Sequence, residues 1–193
     1  MLDGKDDDGN PKKIPYLRYY NVFEINTQCE GLKSRRKDGE TYDHNPIQLA
    51  EEIKEGYQDA PPVTFAPGKA YYMPSKDIIS VPDIKDYKNP EEFYSTMFHE
   101  MVHSTGHKSR LNRKGIEEIA AFGSETYSKE ELVAEIGAAM LCSVAGIEHA
   151  TIDNSAAYIK SWLRRLKDDP KLIVTASSQA QKAADHILGI SGE

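Results

Sequence analysis

Cysteine is scarce in this sequence, with only Cys29 and Cys142 among 193 residues. Two thiols so far apart form no C-x-x-C pair, which excludes a disulfide framework, a zinc ribbon and a dithiol redox centre. Cys142 falls in the apolar run Ala138-Ala139-Met140-Leu141-Cys142, the setting of a buried thiol. Long apolar runs are also absent. Nothing approaches the roughly 18 residues that cross a bilayer, so no membrane association is expected. The acidic opening from Asp3 to Asp8 is wrong for a secretory leader, and the chain reads as cytoplasmic. Nor is there a basic excess. With 24 Lys and Arg against 31 Asp and Glu the formal net charge is −7, so the surface as a whole does not gather phosphates. Two clusters run against that balance, Lys33-Ser34-Arg35-Arg36-Lys37 and Lys108-Ser109-Arg110 with Arg113-Lys114; each reads first as a solvated loop, with nucleic-acid contact as the second reading.

What is present is an ordinary globular composition, 39% hydrophobic and 28% charged, in a chain long enough for one sizeable core. Residues 1–15 are polar and charged, and disorder is expected there. The aromatic and β-branched run from Tyr16 to Ile25 predicts a strand, and 26–44 a loop. Asn45 and Pro46 predict a cap and first helical residue for a helix reaching Tyr57, and Pro61-Pro62 separates that helix from the next segment. Short strands are expected at Val63–Ala66, Ala70–Met73 and Ile78–Val81. Asn89 as cap, Pro90, and Glu91 and Glu92 in the first turn predict a helix that runs to Thr105 and stops at Gly106. A short turn is expected over Ile116–Ala120. Ser128 with Glu131 reads as a capping box opening a helix to Val144. Further helices are predicted over 154–167 and 170–188. Strands early and helices late make the fold class α+β.

The chemistry concentrates in His99-Glu100-Met101-Val102-His103. Side chains four apart on a helix share a face, so both imidazoles can meet one ion, and their nitrogens suit Zn²⁺. Glu100 sits about 100° around the helix from His99. It is poorly aimed as a third ligand but well placed as general base toward a water on the metal. His107 follows the expected helix end. A third histidine at the metzincin spacing would fall at position 109, which is Ser109. The third ligand is therefore sought on the helix carrying Glu130-Glu131-Leu132-Val133-Ala134-Glu135. There Glu131 and Glu135 share a face, as in the E-x-x-x-(D/E) element of gluzincin-like sites. Glu131 is the favoured ligand and Glu135 the residue that orients a histidine, with the opposite assignment open because Glu131 also fits as a capping residue. Tyr127 and Tyr158 are candidates for an oxyanion donor.

Phe93 through His107, Ser109-Arg110-Leu111-Asn112-Arg113, Phe122-Gly123-Ser124, Glu130 through Leu141, Tyr158 through Leu163 and Ala180 through Leu188 together resemble the zincin-like metallopeptidase domain of ArdC-type antirestriction proteins. The resemblance spans about residues 60–190. It implies a zincin-like domain over 59–193 and a zinc-dependent peptidase acting on a protein or peptide. Arg18 through Phe23 with Glu30-Gly31 resemble the end of that family's N-terminal domain, whose role is single-stranded DNA binding. Residues 16–58 would then be its remnant and the chain a fragment of a longer protein, with single-stranded DNA as a second partner. In the alternative reading the chain binds DNA or protein and its zinc is mainly structural. The family's home on plasmids implies a bacterial cytoplasm.

Overall fold

The computed structural model describes residues 2–5, 11–14, 30–31, 41–117, 125–147 and 171–190. The chain divides into two compact units, Met1–Gly39 and Glu40–Glu193. In the first, β1 (Leu2–Lys5) pairs antiparallel with β2 (Pro11–Ile14), Leu2 opposite Ile14 and Lys5 opposite Pro11. The strand predicted over 16–25 and the helix predicted over 154–167 lie outside the described residues.

The second unit holds a sheet of three short strands, β3 (Val63–Phe65), β4 (Tyr71–Met73) and β5 (Ile78–Val81), in the order β3-β5-β4. All three arise where β-branched and aromatic residues predict them. β3 runs parallel to β5 and β4 antiparallel to it, with Val63 and Tyr72 flanking Ile79. Ile79 and Val81 are fully buried, so β5 is the strand that anchors the sheet in the core. Among the described residues β4 is paired on one side only.

Five α-helices and a 3-10 turn at Ile84–Asp86 complete the described part of the unit: α1 (Gln48–Gly56), α2 (Pro90–Thr105), α3 (Lys114–Glu117), α4 (Glu125–Val144) and α5 (Lys171–Ile187). α1 starts later than Asn45-Pro46 predicts, with Ile47 in the cap position and no side-chain cap bond. Proline sets φ but leaves ψ open, so it permits a helix start without compelling one. α2 begins at Pro90 as expected, although the Asn89 side chain makes no cap bond. α1 packs on α4 and α5, and the Tyr94 hydroxyl of α2 donates to Glu51 at 2.7 Å. The boundary expected between residues 58 and 59 therefore lies inside this compact unit.

α2 is wedged between the sheet, α4 and α5, and Phe93, Tyr94, Met97, Phe98, Met101 and Val102 are all buried. Its contact with α4 depends on Gly137, where an added Cβ would lie 2.9 Å from Val102 Cγ2. Gly137→Val is expected to overpack this crossing and cost about 1–3 kcal/mol. That corresponds to a melting temperature lower by roughly 3–10 °C in a unit of this size. A thermal melt indistinguishable from wild type would show that the close approach is dispensable. No described helix is long and apolar enough to cross a membrane.

Candidate metal centre

His99 and His103 stand one turn apart on α2, and their Nε2 atoms are 3.1 Å from each other. From α4, Glu131 brings Oε1 to 3.4 Å from His103 Nε2 and Oε2 to 3.7 Å from His99 Nε2. Metal–ligand bonds of 2.0–2.1 Å at tetrahedral angles separate neighbouring donors by about 3.4 Å, so the three residues fit a small divalent ion. A ring-to-ring hydrogen bond would account for the first distance but not for a carboxylate at the third corner. Among the described residues this is the one cluster of three or more candidate donors whose atoms lie within 4.8 Å of one another.

The two glutamates singled out on α4 part company. Glu131 closes the triangle, while Glu135, one turn later, places Oε2 3.5 Å from His99 Nδ1, behind the ring. The capping box at Ser128 does not form the helix start, because α4 already begins at Glu125. Glu131 is thus an interior helix residue, and the structural role that competed for it lapses. Glu130 is the residue that sequence reasoning misses. Its Oε1 is 3.5 Å from His103 Nδ1, so each histidine has one carboxylate before it and another behind. Adjacent helix residues point about 100° apart, and a site lying between the two directions takes both. No local sequence pattern announces that.

The electrostatics come from burial among acids. Burial depresses the His99 pKa, but Glu131 and Glu135 outweigh it and leave it above the ordinary value. The same contest at His103, with Glu130 and Glu131 on the raising side, ends at about 10. At 3.5 Å the Glu130 contact is longer than a hydrogen bond, and His103 Nδ1, fully enclosed, has no hydrogen-bond partner among the described residues. The attraction between them is charge to charge. Burial would raise the Glu131 carboxyl, yet contact with His103 and His99 holds it well below the usual carboxylate range. Glu100 is also buried, and there burial prevails over the two histidines and pushes its pKa up. Rings surrounded by carboxylates hold protons tightly until another cation takes their place.

In the basic cluster around 108–114, Lys108 and Lys114 are exposed while the two arginines are engaged within the fold. Arg110 pairs with Asp77 and donates to Ser104 O at 2.8 Å and Asp59 O at 3.1 Å, with a side chain only 3% exposed. Arg113 is buried against Glu130. The guanidiniums are engaged because each ties the turn after α2 to another element. Lys33–Lys37 lies outside the described residues, as does Tyr158, and of Tyr127 only the backbone is described. His107 turns to Ser109 and Asp77, away from the donor triangle.

A family model for zincin-like metallopeptidases matches residues 59–179. The chain belongs to that family. Its small sheet and helices make the zincin-like domain α+β, as the element pattern predicts, and family and donor set together indicate a divalent metal. Two DNA primases named TraC from Escherichia coli are 35% and 37% identical over 95% and 97% of this chain, and the matches cover 17% and 13% of those proteins. The uncharacterised protein y4eC of Sinorhizobium fredii is 30% identical over 94% of the chain and 57% of its own length. Among solved structures, the zincin-like chain is similar to the antirestriction protein ArdC of plasmid R388. Its Mn(II)-bound structure matches at 37% identity and a TM-score of 0.60 over 92% of this chain and 64% of that one. The metal-free structure matches at 39% and 0.57 over 96% and 65%. The chain thus spans less than two thirds of each of these proteins.

Proposed function

We propose that this chain is the zinc-dependent peptidase part of an ArdC-like antirestriction protein and hydrolyses peptide bonds of a protein substrate. The observation that carries the reading is the triangle of His99, His103 and Glu131 with Glu100 buried beside it. Those three residues would hold the ion, and two imidazoles with one carboxylate suit zinc better than manganese, which prefers oxygen donors. When bound, the metal supplies Lewis acidity, lowering the pKa of a water and polarising a carbonyl. Glu100 takes the proton of the attacking water and delivers it to the leaving amine, and its raised pKa brings it closer to neutrality for both transfers. β4 offers a place for the substrate. The backbone at its Tyr72 lies near Glu100 and favours that carboxylate's charged form, and an extended peptide added along the unpaired edge would run past it. Recognition through backbone bonds suits an extended segment of a protein, with side chains adding the selectivity.

The test is cleavage of an unfolded protein and a mixed peptide library, read by mass spectrometry, with metal-free protein and with zinc or manganese restored. Hydrolysis is expected with zinc and none after chelation. Stoichiometric zinc without cleavage of any peptide would overturn the peptidase reading, and restoration by manganese alone would overturn the choice of metal.

A further inference from the structure

We propose that Arg113 is a positioning residue for the metal centre: without touching the ion, it holds Glu130 behind His103 so that the imidazole presents Nε2 to the metal. The proposal rests on the metal-binding reading of the site but not on peptidase activity.

Arg113 lies in the turn before α3, where its backbone N–H bonds to Gly106 O at 2.9 Å and folds the turn back against the end of α2. Its guanidinium uses every edge. Nε donates to the two Glu130 oxygens at 3.2 and 3.1 Å, and Nη2 donates to Glu130 Oε1 at 2.6 Å. Nη2 also donates to Val102 O at 2.7 Å, while Nη1 reaches Thr105 Oγ1 at 2.5 Å. One planar group thereby fixes the carboxylate of α4 relative to the residues on either side of His103. Room for it comes from Gly106, which the sequence marks as a helix stop. Its φ of −75° is ordinary right-handed backbone. A Cβ there would lie 2.5 Å from Ile116 Cγ1 and 3.1 Å from Arg113 Nη2, so close approach is what demands glycine.

A comparison within the site separates positioning from simple packing. Both ligand histidines have a carboxylate at Nδ1, but the Glu135 side chain is 15% exposed and the Glu130 side chain 6%. Water can reach the Glu135 side chain. Glu130 is nearly sealed and needs a cation, which Arg113 supplies through its Nε and Nη2 donors. The group facing an imidazole Nδ1 decides which ring nitrogen carries the proton and which offers its lone pair.

The experiment measures zinc affinity of the full chain by competition with a chromophoric chelator. Melts of the metal-free proteins and ¹⁵N spectra of the zinc-loaded histidines accompany it. Glu130→Gln is expected to weaken zinc about 10- to 100-fold and to alter the His103 nitrogen shifts while leaving those of His99 in place. Arg113→Lys keeps the charge but loses the fork, and is expected to weaken zinc as well. The double variant is expected to be no weaker than Glu130→Gln alone, because both act through one carboxylate. Folded variants with wild-type zinc affinity and unchanged His103 shifts would overturn the proposal. If Arg113→Lys does not fold, the near-isosteric Glu130→Gln decides by the same two readouts. Wild-type protein that binds no zinc would overturn the metal site itself, and with it this proposal.

Discussion

His103→Ala is expected to remove stoichiometric metal from the protein. An apparent zinc free energy of about 10–16 kcal/mol spread over four ligands assigns each about 3 kcal/mol, hence a loss of at least ~100-fold in affinity. Elemental analysis after dialysis, with titration of the metal-free protein, measures it. His107→Ala is the control, since that ring faces Ser109 and Asp77 and its loss should leave metal content intact. Full metal retention by His103→Ala would place the ion elsewhere.

Glu100→Gln is expected to separate binding from catalysis. The amide has the carboxylate's shape, so metal content and folding should persist, while hydrolysis falls by about 10²- to 10⁴-fold as the proton acceptor is lost. Burial already disfavours the charged form of Glu100, so the neutral amide should not lower the melting temperature. Peptide cleavage rates on metal-matched samples decide the matter, and an undiminished rate would remove Glu100 from the chemistry.

Much of the architecture is legible locally. Pro90, Glu91 and Glu92 place the start of α2, and the alternation of β-branched and aromatic residues places β3, β4 and β5, because these depend on residues a few positions apart. Local signals misled where a motif permits a structure without requiring it. Ser128 could cap a helix, but α4 extends back to Glu125, and Asn45-Pro46 could open α1, which starts at Gln48. The charges of 108–114 are only partly legible in sequence for a different reason. Sequence counts Arg110 and Arg113 as cations, and only the fold reveals that Asp77 and Glu130 neutralise them.

From sequence alone came the pair of imidazoles and the neighbouring Glu100, since one helix's pitch settles where residues 99, 100 and 103 point. Which carboxylates meet those imidazoles was decided only by the packing of α4 on α2, with Gly137 against Val102 setting how near the helices come. That crossing brings Glu131 to the front of both rings, Glu135 behind His99 and Glu130 with Arg113 behind His103. The angle and depth at which two helices pack arise from side-chain fit summed over the whole interface, and no periodicity within either helix contains it.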